Sequence, residues 1–514
     1  MLPCTIYLSF LGAVGLLLLP SGSARAARSA ALVVAVLGFA CCLAAAVNFK
    51  AGVIQTLTRF LWIRALGIEY HLAVDGISLT LVLLTGIAAI AGILFSWNIE
   101  YRAKEFFAAY LALIGAVYGV FLSFDVFLLF VFYEIAIVPK YFLIAIWGST
   151  RKEYGAMKLA LYSFVGSGLV LAGLIAAFVV AGGHTTDLLE LSKFPFPTRF
   201  QMWAFPLVFA GFGILAGLWP FHTWAPTGHV AAPTGGSMLL AGVVMKLGAY
   251  GCLRVAMTLF PHGLDDWGFK FLGLGSWRDL FSLLAVVGIV YGATVALVQN
   301  DFKFVIGYSS VSHMGFVLLG LMTLNSIGLS GAVLQMFSHG ILAGLLFAVA
   351  GRMVYDRAHT RDLERLAGSN LGKRLPFAAV TFTIAGVASM GLPGFSGFVA
   401  ELQVLIGAWN SFPSLAVLAG IGILVGAAYT LRALQKVFFS ETDPLGSRAE
   451  TRPEVAAPAM DGIGSQISIP ERIGAVVLIG AALLIGLCPH LLLQWIVPSL
   501  NSPLFDGLRG GGSW

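Results

Sequence analysis

Charged side chains are scarce in this sequence. Only 11% of its 514 residues are Asp, Glu, Lys or Arg, whereas 59% are hydrophobic and the mean hydropathy is +0.92. Soluble globular proteins contain roughly 25% charged residues, and no polar stretch here is long enough to form a separate domain. The composition therefore excludes a soluble globular protein and indicates an integral membrane protein.

Cysteine pairs of the kind that bind metal clusters are also missing. The five cysteines lie in apolar segments, and none of them forms a Cys-X-X-Cys pair. This excludes the usual iron–sulfur and zinc motifs and a disulfide framework, so we expect no redox cofactor and no metal in this chain. The net charge of +6 does not indicate a nucleic-acid partner, because the basic residues are concentrated in short loops. The cysteines are Cys4, Cys41, Cys42, Cys252 and Cys488.

Long apolar runs fill most of the chain instead. Stretches of roughly 20 apolar residues, the length of a membrane-spanning helix, can be placed about fourteen times. They do not alternate as the strands of a barrel would, and lipid offers no other partner for backbone groups than the helix itself. We therefore predict an all-α polytopic membrane protein. The loops on one side carry about twice as many Lys and Arg residues as those on the other, which predicts that both termini lie outside.

Two of the predicted spans, the seventh and the twelfth, are interrupted in the same manner. One contains Gly217-Leu-Trp-Pro220 and the other contains Met390-Gly-Leu-Pro-Gly-Phe-Ser-Gly397. Matching breaks five helices apart are typical of inverted repeats, with the working site near the breaks. The alternative is that they are two ordinary proline kinks.

The breaks predict a division of the chain into four segments. Two of them are inverted repeats of five helices each, namely predicted helices 4–8 and 9–13. The segments are residues 1–104 with helices 1–3, residues 105–258 with the first repeat, residues 278–440 with the second repeat, and residues 441–514 with a polar connector and helix 14.

A few charges stand deep inside these apolar runs. Lys246 and Glu401 are each the only charged residue of their run, and Glu134 shares its run only with Lys140. A charge at the bilayer centre costs about 2.5–3.5 kcal/mol even on insertion scales, so such residues usually serve transport. Protons cannot cross hydrocarbon without titratable groups, and burial moves both carboxylates and lysines toward neutrality. These residues are therefore candidate stations for protons.

Several sequence motifs surround these charges. On them the chain resembles the antiporter-like membrane subunits of respiratory complex I, and specifically the M-type, or chain 4, subunit. The resemblance extends over predicted helices 3 to 12. The motifs are Tyr70–Leu79, Phe132–Pro139, Pro220–Trp224, Ala232–Ser237, Lys246–Gly251, Gly307–Gly315 and Gly391–Phe398.

The resemblance implies a fourteen-helix module of the bacterial cytoplasmic membrane that moves protons and holds no cofactor. NADH, FMN, iron–sulfur clusters and quinone would belong to partner subunits. Other antiporter-like and small membrane subunits would lie on both flanks, with the bilayer around them. Residues at family positions are expected to carry or relay the proton; they are Glu134, Lys246, Glu401, His222, His313, His339 and Lys158. For Lys158, which begins the predicted sixth helix, an interfacial anchor is an equal alternative.

The sequence departs from the family pattern at one important place. Most members carry a lysine on the broken seventh helix, where this chain has Leu215. The usual partner of Glu134 is therefore missing, while Lys140 follows Pro139 where an uncharged residue is usual. We hypothesise that Lys140 has taken over the role. The alternative is a lysine that extends to the nearer membrane surface.

Three functions from different classes fit these features. The first is a subunit of a redox-driven NADH–quinone oxidoreductase, which the Asp75-Gly-Ile-Ser motif favours. The second is an Mrp-class cation/proton antiporter or a membrane-bound hydrogenase subunit. A passive scaffold is disfavoured, because three separated intramembrane charges would be retained at a cost. Asp125 is expected to cap a helix rather than to carry protons.

Overall fold

The computed structural model describes residues 1–20, 23–267, 274–440 and 466–509. Within them, twelve helices are long and apolar enough to cross a membrane. A shorter first helix and a broken pair complete the two remaining predicted spans. The helices are α1 Pro3–Leu17, α2 Ala24–Val47, α3 Gly76–Phe95, α4 Ala103–Leu122, α5 Val126–Trp147, α6 Lys152–Val180, α7 Thr198–Ala231, α8 Thr234–Met257, α9 Trp277–Val298, α10 Phe302–Met322, α11 Ser326–Ala358, α12 with its halves Pro376–Ser389 and Ser396–Ser411, α13 Pro413–Phe439, α14 Ile469–Leu487 and α15 His490–Leu500.

The all-α polytopic prediction is confirmed, with one addition. A two-stranded antiparallel hairpin, β1 Gln55–Ile63 and β2 Ile68–Val74, occupies the polar stretch before α3. Its strands turn at Gly67, which has a φ of +62°, a backbone conformation that glycine adopts without strain. Most of the predicted connector at 441–470 lies outside the described residues.

Burial separates central helices from those at the rim. The most apolar stretch is 100% buried in α8 and in α11, but only 22% buried in α2 and 28% in α13. Rim helices can expose apolar side chains to lipid, whereas central helices face only protein. The central pair carries Lys246 and His339, so these two polar groups lie where lipid does not reach.

The two predicted breaks are present and follow from local chemistry. In α7 the helix stops at Gly217, with φ +87°, and resumes after Pro220. Trp224 then donates from its Nε1 to the carbonyl of Ile214 over 2.7 Å, which satisfies one backbone group that the break releases. In α12 the halves are separated by Gly391 and Gly394, both at positive φ.

A short backbone pairing recurs in the two predicted repeats. Asp125 pairs with Asp187, and Asp301 pairs with Asp362. Asp125 caps α5 through the Phe127 and Leu128 amides at 2.9 Å, which confirms its predicted capping role. Asp301 caps α10 in the same way. The recurrence supports the inverted repeats. The repeats and the division of the chain into four segments stay predictions.

Candidate functional site

Lys246 lies in the middle of α8 between two turns of π-helix, Leu240–Val244 and Cys252–Met257. The π geometry disturbs the regular hydrogen-bond ladder, and Lys246 donates to the carbonyl of Ala241. Its Nζ also lies 2.7 Å from Nδ1 of His339 on α11. Both side chains are buried, so the lysine is held by protein groups alone.

A second polar cluster lies beside this pair and contains Glu401 on the second half of α12. Its Oε1 is 2.8 Å from Nδ1 of His313 and 3.0 Å from Nε2 of Gln335. The other ring nitrogen of His313 is 3.1 Å from the Ser389 hydroxyl, at the break in α12. The break thus brings both halves of α12 into one hydrogen-bonded group.

The two clusters meet at the histidines. The rings of His313 and His339 have their centroids 5.6 Å apart, and Nε2 of His339 has no hydrogen-bond partner among the described residues. Both rings line a cavity of about 10 Å³, which approaches the room needed for the centre of one water molecule. Lys246, His339, His313 and Glu401 form what we call the central chain.

Glu134 and Lys140 are close in sequence but do not form an ion pair within 4.0 Å. The helix is interrupted at Ala136, three residues before Pro139. Lys140 is only 1% exposed, so within this chain its ammonium does not extend to the surface. The Ser167 hydroxyl of α6 donates to the Phe164 carbonyl over 3.2 Å, and Oε1 of Glu134 has no hydrogen-bond partner among the described residues. Whether Lys140 replaces the missing lysine stays a prediction.

Leu215 is buried where α7 packs closely on α8. A Cβ added at Gly248 would lie 2.4 Å from the Ala216 amide nitrogen, so the two backbones are nearly in contact. Leu215 belongs to the buried apolar core of the chain.

Lys158 and His222 belong to a third polar group, on α6 and the break of α7. Nζ of Lys158 is 3.4 Å from Oγ1 of Thr227, and the Tyr162 hydroxyl is 3.0 Å from Oγ1 of Thr223. His222 is buried, and neither ring nitrogen has a partner within the described ranges. The role of Lys158, as a proton carrier or as an interfacial anchor, stays a prediction.

A vestibule of about 210 Å³ opens at the start of α8, where Thr234 and Lys303 are among its lining residues. Lys303 is buried and donates to the carbonyl of Ala232 over 3.1 Å. Beyond it lies His229, which is fully buried, with neither ring nitrogen bonded to any described residue. The Ser237 hydroxyl, 3.5 Å from Nζ of Lys303, donates to the His229 carbonyl over 2.7 Å. These contacts place the backbone of His229 next to Lys303.

Sequence reasoning missed Gln335 and Ser389, which complete the Glu401 cluster. A glutamine inside the apolar α11 and a serine at the edge of the α12 break were signals that could have been used. Lys303 stands between two apolar runs in the sequence, but the structure buries it.

One cluster has the composition of a metal site. Ligand atoms of Glu69, His71 and Asp187 lie within 4.8 Å of one another. However, the Arg59 guanidinium is 2.6 Å from Glu69 and 3.9 Å from Asp187, and it supplies the positive charge locally. The cluster therefore ties the hairpin to the segment before α7.

Comparisons with known proteins identify the family of this chain. Residues 123–426 match the family described as NADH:quinone oxidoreductase/Mrp antiporter, TM. The chain is 38% identical over 398 residues to NAD(P)H-quinone oxidoreductase chain 4 1 of Synechococcus sp. (strain JA-2-3B'a(2-13)), covering 76% of this chain and 73% of that one. It is 36% identical over 452 residues to NADH-quinone oxidoreductase subunit M of Rhodobacter capsulatus, covering 85% and 82%.

Among solved structures, the chain is similar to one in respiratory complex I from Thermus thermophilus with bound NADH. The TM-score is 0.86 with 27% identity, and the superposition covers 100% of both chains. The chain therefore belongs to the NADH:quinone oxidoreductase/Mrp antiporter membrane family, as an antiporter-like subunit of the M type.

Proposed function

We propose that this chain is the proton-translocating M-type subunit of a redox-driven NADH–quinone oxidoreductase. The observation that carries the proposal is the central chain, in which Lys246 bonds to His339 and Glu401 bonds to His313 around one small cavity. The chain would hold no redox cofactor and would depend on partner subunits for NADH oxidation. It would lie in a bacterial cytoplasmic membrane with both termini outside and antiporter-like neighbours on both flanks.

The geometry supports a path for the proton from the vestibule to Glu401. Lys303 and His229 would deliver it to Lys246, which can give it up to Nδ1 of His339 across 2.7 Å. A water in the cavity beside the two rings would carry it from His339 to His313, since imidazoles titrate near neutral pH in water. His313 would pass it to Glu401, whose carboxyl it already contacts.

Glu134 and Lys140 would act on this path through charge rather than by proton transfer. Two buried unit charges interact strongly over several ångströms when water is excluded. A change in the protonation of Glu134 would therefore change how easily Lys246 releases its proton. Lys158 and His222 would connect the same region to the α7 break.

The test of the redox assignment is copurification. An affinity-tagged chain should bring with it, from detergent-solubilised membranes, NADH oxidation that is coupled to quinone reduction. An Mrp-class antiporter is the alternative, because the matched family includes both. In that case the tagged preparation would lack NADH oxidation, and vesicles would exchange protons for added Na⁺ without NADH.

A further inference from the structure

A buried ion pair lies on α8 beyond Lys246. Nη2 of Arg254 is 2.7 Å from both carboxylate oxygens of Asp75, the residue that caps α3 by accepting from the Ser78 amide. The exposed fraction of these side chains is 0% and 1%. Neither residue takes part in the path from the vestibule to Glu401.

Tyr250 fills the space on α8 between the lysine and the arginine. Its hydroxyl donates to the Phe121 carbonyl over 3.1 Å and accepts from Nε of Arg254 over 3.2 Å. The guanidinium lies 5.0 Å from the ring of Phe124 and 5.8 Å from that of Phe505. Aromatic side chains thus surround the arginine, and the hydroxyl proton of Tyr250 is donated to the Phe121 carbonyl.

Arg254 and the vestibule lie toward opposite ends of α8, with Lys246 between them. Thr234, at the start of α8, lines the vestibule, and Lys246 lies in the middle of the helix. Arg254 follows Lys246 by roughly two turns, about 12 Å of helix. It therefore lies on the side of Lys246 opposite the vestibule, next to the base of the hairpin.

We propose that Arg254, held by Asp75, is the barrier that prevents a proton on Lys246 from leaving directly through the far end of α8. This inference rests on the proposed function. A guanidinium has no acceptor and does not release its proton in proteins, so it cannot relay one. Its bond to Asp75 also occupies the carboxylate beside it, so that carboxylate is not free to accept the proton instead. His339 is then the acceptor for a proton on Lys246. The proton passes from α8 to α11, which belongs to the predicted second repeat.

The test is the passive proton leak of the intact complex in sealed proteoliposomes, measured as decay of an imposed pH gradient without NADH. The variant is Arg254→Met with Asp75→Asn, because removing one partner alone leaves an uncompensated buried charge. Asparagine can still cap α3. We expect the leak to rise at least about five-fold and to return to the wild-type rate when Lys246→Met is added.

Arg278→Met is the control, since this half-buried arginine donates to the carbonyls of Met322 and Thr323 and has no carboxylate partner like Asp75 among the described residues. It should not leak. Arg254→Gln with Asp75→Asn replaces the first variant if that one does not assemble. An unchanged leak in the double variant, or a leak that survives Lys246→Met, would overturn the barrier. The proposed function fails separately, if Lys246→Met alone leaves NADH-driven pumping intact.

Discussion

Nζ of Lys246 and Nδ1 of His339 are 2.7 Å apart, and they join α8 to α11 at the two most deeply buried helices of the chain. Among the described residues, this is the hydrogen bond that joins Lys246 to a side chain next to the Glu401 cluster. A proton that reaches Lys246 from the vestibule would therefore pass to Glu401 through His339. Transfer from Lys246 to Glu401 depends on this histidine.

Replacing His339 should interrupt transfer without dismantling the helix. His339→Gln keeps a polar side chain of similar length but cannot exchange a proton. NADH-driven acidification of vesicles should fall by about 100-fold, the lower end of the range for losing a positioned acid or base. Ser330→Ala, a buried change on the same helix away from the chain, is the control and should pump normally.

Gln335 should set the position of Glu401 rather than carry protons itself. Its amide is 3.0 Å from the carboxylate that His313 contacts at 2.8 Å. Gln335→Leu removes that donor and should reduce pumping by at least about ten-fold, since one hydrogen bond to a charged group contributes about 1.5–3 kcal/mol. Gln335→Glu should be worse than leucine, because it places a second carboxylate beside the first. If both variants pumped as well as the wild type, Gln335 would have no role in positioning Glu401.

Lys140→Met tests whether this lysine has taken the role of the one missing at Leu215. If the charge of Lys140 biases Glu134, the variant should pump about as poorly as Glu134→Gln does, and the double variant should be no worse than either. Lys193→Met removes an exposed lysine and is the control. Normal pumping by Lys140→Met would show that the lysine is only a buried structural charge.

The hairpin should depend on pH through Asp187, which lies outside the membrane spans. Burial raises the pKa of Asp187, but the hydrogen bond from His71 and the charges of His71 and Arg59 outweigh this, so its pKa is held below the ordinary 3.8. A lowered folded-state pKa contributes stability above the unfolded value and loses it as pH falls through the folded one. Asp187→Asn should therefore lower the unfolding temperature near about pH 7, and the difference should shrink below about pH 4. A difference that is the same at both pH values would contradict the linkage.

The charges of the central chain could be predicted because insertion cost is a property of the sequence alone. Lys246 and Glu401 stood out in apolar runs, and the resemblance supplied His313 and His339. The breaks in α7 and α12 were equally visible, because Gly and Pro act locally.

The remaining features depend on tertiary contacts. Arg254 closes a predicted span and resembles an interfacial charge, yet it is buried by Asp75, which is 179 residues away. No residue pattern marks the π turns on either side of Lys246. The sequence does not mark the hairpin before α3, because its two short strands lie within an otherwise polar stretch.

The central claim is that protons pass through Lys246. The most direct measurement is NADH-driven acidification of sealed vesicles that contain the intact complex with Lys246→Met, beside its NADH oxidation with a soluble artificial acceptor. We expect acidification to fall at least about ten-fold while the soluble-acceptor activity, which reports assembly, stays at the wild-type level. Wild-type acidification by the assembled variant would contradict the account.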